Sequence, residues 1–338
     1  MDTFDILCKL APAFGVSGDE QEAAQAALDI LSEYGEGSFD KTTGNAVFRR
    51  AGFDDSKKTI LLDAHIDEIG FVVTYITDDG FLKVAPVGGI DRRTLLASEV
   101  TVFGRQKIKG VITSTPPHLE DDNKKVPEVS DIYIDCGLSG EQAKSIISLG
   151  DKVSMVNEPV RLLGSRVSGK ALDDRSGVAV LIKTIELLKD KPLGVNVVLL
   201  LSSQEETGEM GAKTGAFDIS PDMAIAVDVS FAYTQGEDKE ECGELSKGAM
   251  IGISPSLSRE LSDALISCAK DKGIPYQYEI MNGRTGTNAD QITISKGGVK
   301  TVTVSIPEKY MHTPVEVIDL EDIDNIARLL AEFIGGLK

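Results

Sequence analysis

The chain reads as an α/β protein: a mostly parallel sheet flanked by helices, with a small β-rich domain inserted into it. Three observations predict this. Val195–Leu201 is an apolar, β-branched run too short to cross a membrane, as expected of a strand buried on both faces of a covered sheet. Strands and helices alternate after Gly169, the rhythm of a parallel sheet. Between Gly70 and about Leu163 that rhythm gives way to short alternating segments separated by Asp-Gly, Gly-Gly and Pro-Pro turns.

Residues 3–34 read as helices, with acids at 19–22 suited to a first turn and Ala24, Ala27, Leu28 and Leu31 forming an apolar face. Strands are predicted at Asn45–Arg49 and Thr59–Ala64. The β-rich stretch has candidate strands at Phe71–Tyr75, Phe81–Val84, Glu99–Phe103, Lys107–Ile112, Ile132–Ile134 and Lys152–Met155, and one helix at Ser139–Leu149. Pro116–Ser130, polar and charged, reads as a long mobile loop. Beyond it, a helix follows Asp173 and runs through Leu188, and a short one lies near Gly211–Ala216. The strand Met223–Val227 ends in Asp228, and a helix at Ser258–Lys272 precedes a strand at Tyr276–Ile280. Asn282–Thr287 is a turn, the strand Lys300–Ile306 leads to His312, and a helix at Leu320–Ile334 closes the chain. The expected division is therefore a discontinuous α/β domain, 1–69 and 164–338, around a β-rich domain, 70–163.

Bulk properties narrow the partners. A net charge of −19 over 338 residues disfavours nucleic acid and anionic membranes, which reward clustered Lys and Arg. The four cysteines are scattered, which suits reduced thiols in a cytoplasm. Met1–Gly15 carries acids and no basic region before an apolar core, so no signal peptide is expected. No run is long enough to span a bilayer.

The strand at Val195 ends in two adjacent carboxylates, Glu205 and Glu206, followed closely by Gly208. Ligands of open α/β sheets sit beyond the carboxyl ends of strands. If the segment is extended, the two side chains point opposite ways and can take different jobs, one holding and one acting. His65, Asp173, Glu206, Asp228 and His312 all fall at predicted strand ends or at a helix mouth, and two of the chain's three histidines are among them. Two carboxylates about 4 Å apart repel by roughly 4 kcal/mol at an effective dielectric near 20. Gathering three with Glu205 beside them calls for cations, and two divalent ions balance the set. A mixed histidine and carboxylate donor set suits Zn²⁺ or Co²⁺. Asp67, two residues past His65, is placed to accept the far N–H of its ring.

His65-Ile66-Asp67-Glu68-Ile69-Gly70, Ala171-Leu172-Asp173-Asp174-Arg175-Ser176-Gly177, Gln204-Glu205-Glu206-Thr207-Gly208, Asp228 and Lys309-Tyr310-Met311-His312-Thr313-Pro314 occur in that order along nearly the whole chain. Together they resemble the glutamyl/tetrahedral aminopeptidase family of dinuclear metallopeptidases, some members of which have been labelled endoglucanases. The resemblance implies a metallo-exopeptidase fold in which Asp173 bridges two metals and its peptide bond to Asp174 is cis. It implies that His65 and Asp228 complete one metal site, Glu206 and His312 the other. Glu205 is then the general base on a water held there, and Asp67 supports His65. It also implies homo-oligomers, often tetrahedral dodecamers, with the inserted domain mediating contacts. Asn288 stands where many members have Asp, and Lys309 where Arg is common; both are expected near the substrate pocket and bear on side-chain preference.

The expected activity is a cytoplasmic aminopeptidase acting on short peptides. A glycoside hydrolase using Glu205 and Glu206 is the first alternative, but neighbours pointing apart suit poorly a chemistry that needs facing carboxyls about 5 Å apart or more. The absence of Trp also removes a favoured sugar platform. A non-catalytic oligomeric shell, the second alternative, has no need of a full ligand set.

Overall fold

The computed structural model describes residues 1–116 and 126–338. The central part of the expected mobile loop 116–130 lies outside the described residues, as does the third histidine, His118. Helices α1 (Thr3–Leu10) and α2 (Gln21–Leu31) open the chain, followed by strands β1 (Gly35–Phe39), β2 (Ala46–Arg50) and β3 (Thr59–His65). Six strands, β4 (Gly70–Ile76), β5 (Leu82–Val87), β6 (Glu99–Phe103), β7 (Lys107–Thr113), β8 (Tyr133–Asp135) and β9 (Lys152–Met155), then close into an antiparallel barrel in the order β4-β5-β8-β7-β6-β9. Helix α3 (Gly140–Ile146) lies within this stretch, started by a reciprocal capping box between Ser139 and Gln142.

The chain returns through the short strands β10 (Val160–Arg161) and β11 (Arg166–Gly169) to helix α4 (Leu172–Leu188). Next come β12 (Asn196–Ser202), α5 (Met210–Ile219), β13 (Met223–Phe231) and β14 (Ala249–Ile253). They are followed by α6 (Arg259–Lys272), β15 (Tyr276–Ile280), α7 (Ala289–Thr293) and β16 (Lys300–Glu308). Strand β17 (Glu316–Asp319), paired with β11, and helix α8 (Leu320–Gly336) complete the fold. The main sheet has eight strands in the order β1-β2-β12-β3-β13-β16-β14-β15. Its centre is parallel, β12 with β3, β3 with β13 and β13 with β16, and β14 joins it antiparallel.

Every residue of β12 is buried, which explains its unalternating apolar sequence. One face of the sheet packs on α1, α2, α4, α6 and α8 through Leu7, Leu28, Val178, Leu265 and Ile326 among others. The opposite face is covered by α5 and α7, which present Ala212, Ala216 and Ile292 to Leu61 and Leu200. The barrel has its own core around Phe71, Val100, Ile134 and Val153. Among the described residues no helix is long and apolar enough to cross a membrane.

Two expectations are corrected. Asp228 lies inside β13, which continues to Phe231 because its register with β16 holds as far as Glu308. Glu205 and Glu206 are not on an extended segment: β12 stops at Ser202, and the chain turns at Gln204, whose φ is 54°. The separation of the two glutamates therefore comes from a turn, not from strand alternation.

Barrel and sheet are joined by a buried ion pair. Lys170 Nζ donates to Glu68 Oε2 at 2.5 Å, and Ser154 on β9 donates to the same carboxylate at 3.2 Å. Both charges are sealed from water, so removing one strands the other. Lys170→Met is expected to destabilise the protein by about 3–5 kcal/mol. Chemical denaturation should read that as a lower midpoint with an unchanged slope, and a midpoint within error of the wild type would contradict it.

Candidate metal centre

The C-terminal ends of β3, β12 and β13 share one edge of the sheet, with the mouth of α4 and the 309–314 turn facing them. His65 is the last residue of β3. Its Nε2 lies 2.9 Å from Asp173 Oδ1 and 3.8 Å from Asp228 Oδ1. His312 Nε2 lies 3.3 Å from the other Asp173 oxygen and 3.5 Å from Glu206 Oε1. Potential ligand atoms thus gather in two groups, His65–Asp173–Asp228 and Asp173–Glu206–His312, each within 4.8 Å and joined by Asp173. All five residues nominated as ligands from sequence are brought together, and Glu205 belongs to neither group.

Local backbone geometry aims these groups. The peptide bond between Asp173 and Asp174 is cis, and Ala171 before it adopts a left-handed conformation with φ 54°. Asp174 turns inward, where Oδ2 accepts the His65 N–H at 3.2 Å and Oδ1 accepts the Gly177 N–H at 3.0 Å. A Cβ at Gly177 would meet that carboxylate at 2.3 Å, so only glycine fits. Tyr310 and His312 have φ of 64° and 61°, a left-handed backbone that costs energy in non-glycine residues and presents the imidazole to Asp173.

Asp67 does more than was expected of it. His65 Nδ1 lies 3.2 Å from the Asp67 carbonyl and 3.5 Å from its carboxylate. The carboxylate also accepts the Glu205 N–H at 3.0 Å, the Glu206 N–H at 3.3 Å and a short bond from Ser17 Oγ. Through its carbonyl and its carboxylate, this one residue holds both the histidine and the turn carrying the two glutamates.

Sequence reasoning missed several participants. Glu316 on β17 accepts the Leu172 and Asp173 N–H groups at 2.6 and 3.3 Å, holding the mouth of α4. Glu308, fully buried at the end of β16, has no hydrogen-bond partner for either oxygen among the described residues. Gly88 and Gly89, read only as a turn, pack against the site: a Cβ on either would lie 3.1 Å from Glu206 Oε2 or 3.0 Å from His312 Nδ1. Asn288, by contrast, is buried under the sheet edge, where its amide donates to Asp63 at 2.9 Å and Ser202 at 2.7 Å. Lys309 pairs through its backbone with Val317. Neither is among the residues lining the cavity over the candidate ligands, although Asn288 directly follows the lining residue Thr287.

The charges explain what the site requires. Burial, followed by the nearby Asp173, pushes the Glu206 carboxyl well above its ordinary range, and burial does the same to Asp228 and Asp174. Glu205 is pushed up to about 7 by burial, against the pull of His65 and with help from Asp173, Asp67 and Glu209. Burial also works against ionisation of Asp173, yet hydrogen bonds with His312 and His65 hold it below the usual carboxylate range. No Lys or Arg is paired with Asp173, Glu206 or Asp228 among the described residues. Two imidazole nitrogens and three carboxylates converging without a cationic side chain fit divalent metal ions.

The family model for M42 glutamyl aminopeptidases matches residues 44–329. The chain belongs to that family of hydrolases. A relative from Acetivibrio thermocellus is 37% identical over 98% of each chain. An aminopeptidase structure from the archaeon Desulfurococcus kamchatkensis is 37% identical with a TM-score of 0.92, covering 99% of this chain and 95% of its own. The Pyrococcus horikoshii TET1 peptidase, which can assemble into a tetrahedron or a large octahedral shell, is 32% identical with a TM-score of 0.87, covering 99% of this chain and all of its own.

A pH dependence follows from the raised carboxyls. Between the ordinary value of 4.5 and about 7, folded Glu205 keeps a proton that the unfolded chain has lost. Stability of metal-free protein must then fall as pH rises through that window. Chelated protein is expected to melt at progressively lower temperature from about pH 5 to about pH 8, and divalent cation should flatten the trend. Thermal melts with and without chelator check this; a flat or rising profile in chelator would contradict it.

Proposed function

We propose that the chain is a cytoplasmic dinuclear metallo-aminopeptidase that releases N-terminal residues from short peptides. The observation that carries this reading is the pair of histidine–carboxylate groups sharing Asp173 within a cavity of about 350 Å³. His65 and Asp228 would hold one cation and Glu206 and His312 the other, with Asp173 common to both groups; Zn²⁺ and Co²⁺ suit these donors. When bound, the cations polarise the scissile carbonyl and acidify the attacking water.

The chain's own residues do the rest. Glu205 lines the cavity outside both ligand groups, free to act as general base. It takes a proton from the attacking water at a carboxylate oxygen and returns it to the leaving nitrogen. Asp67 positions that base by accepting its backbone N–H, and orients the His65 ring at the same time. The acidic cavity attracts the free α-amine that distinguishes a peptide's N-terminus.

The two glutamates separate experimentally. Glu205→Gln is expected to retain two metal ions per chain while losing activity by about 10²–10⁴-fold. Glu206→Gln replaces an anionic ligand by a neutral amide, so it should bind one ion weakly and recover activity in part when metal is in excess. Metal analysis and turnover on both variants in parallel check the assignment; metal loss in Glu205→Gln alone would reverse it.

The barrel, residues 70–155, is the proposed assembly module of a homo-oligomer, with 70–163 as its domain boundaries. Support comes from its separate core and from solvent-facing Tyr75 and Leu149 on its surface, which are 56% and 65% exposed. Relatives that form shells support the oligomer. Light scattering should give a mass several times that of one chain, falling when Tyr75 and Leu149 are both replaced by Glu; a monomeric wild type would contradict the proposal.

A further inference from the structure

We propose that Glu279 makes this enzyme select peptides whose N-terminal residue carries a cationic side chain, lysine or arginine. The inference rests on the aminopeptidase reading above and concerns the far wall of the same cavity.

Glu279 lies on β15, the edge strand of the main sheet, and lines the cavity that holds both ligand groups. Its side chain reaches back across β14 to β16, where Ser305 Oγ donates to Oε2 at 2.7 Å. The nearby Ser230 hydroxyl also favours the charged form of this carboxylate. Ser230 is two residues beyond Asp228 on β13, so the two side chains share one face of the sheet. The carboxylate is therefore held on the metal ligands' own face, in the cavity, but takes part in neither ligand group.

Its surroundings are incomplete. Burial, opposed by the Ser305 bond and the nearby Ser230 hydroxyl, disfavours its charge, and no Lys, Arg or His is paired with it among the described residues. A half-buried carboxylate held only by neutral groups lacks a counter-charge that a ligand can bring. Of the other acids of the cavity, Asp173, Glu206 and Asp228 belong to the ligand groups and Glu205 is the proposed base, so Glu279 is the one left for a substrate side chain. Phe231 and Met311, which also line the cavity, offer apolar surface. A lysine stem can lie on such a surface with its ammonium at Glu279. An arginine can reach the same carboxylate through its guanidinium fork. A leucine fills the space but leaves the charge uncompensated, and a glutamate adds a second negative charge.

The test uses metal-loaded protein and the p-nitroanilides of Lys, Arg, Leu and Glu. Wild type should show its highest kcat/KM on Lys and Arg. Glu279→Gln should lose about 10–100-fold on those two, the effect of removing one charge-assisted hydrogen bond, and change little on Leu. Glu279→Leu should shift preference further towards Leu. Faster release of Leu or Glu than of Lys by wild type would overturn the proposal. So would an equal loss on all substrates in both variants, since that would assign Glu279 to the α-amine common to all of them. A measurement on unaltered protein covers the case of variants that do not fold. Free L-lysine should inhibit hydrolysis of the leucyl substrate more strongly than norleucine, which has a similar stem without the charge; equal inhibition overturns the inference. Failure of the aminopeptidase reading has its own signature, no anilide released with any residue or metal, and would take this inference with it.

Discussion

Asp173 is shared between two clusters that also contain Glu206 and Asp228, with Asp174 and Asp67 directly behind. At separations near 4 Å each pair of ionised carboxylates costs roughly 4 kcal/mol at an effective dielectric near 20. Much of the surrounding architecture answers that repulsion. The two imidazoles face the two oxygens of Asp173. Backbone N–H groups are aimed at Asp67, Asp174 and Glu316, satisfying those acids without adding a mobile charge. What remains uncompensated is the set of groups facing the cavity, and those are donors suited to metal ions.

The same constraint accounts for costly local features. A left-handed alanine, two left-handed residues in the 309–314 turn and an obligatory glycine beside Asp174 are each unfavourable in isolation. Here they bring carboxylates and rings from β3, α4, β13 and the 309–314 turn to one edge of a rigid parallel sheet. The sheet supplies the rigidity: β12 is buried along its whole length, and β13 and β16 stay in register over nine residues.

Much of this was legible in the sequence because it depends on local pattern. The buried run of β12 declared the sheet centre, and turn-separated short strands declared a β-rich stretch, though not its closure into a barrel. His65, Asp173, Glu206, Asp228 and His312 stood out because charged groups at the ends of apolar runs are easy to see. Edge and pairing strands were harder to read. β1 is Gly-Glu-Gly-Ser-Phe and β17 has only four residues, so neither carries a periodic signal, and both exist through tertiary pairing. The turn at Gln204 was misread because an apolar strand gives no internal sign of where extension stops. Glu308, Glu316 and Glu279 were missed for a different reason. Their importance comes from burial and from neighbours far away in sequence, and nothing in the flanking residues reports either.

Gly88 and Gly89 belong to the barrel stretch, yet they touch Glu206 and His312, and the N–H of Asp91 donates to the His312 carbonyl at 3.2 Å. The barrel is consequently not a cassette that can be exchanged between relatives at its strand boundaries. A graft that replaces 70–155 wholesale would also replace part of the cavity wall, and so would alter the candidate site together with the barrel. A recombination that retains 88–91 from the recipient, with the Lys170–Glu68–Ser154 junction, is the version in which shape and reactivity can be varied separately.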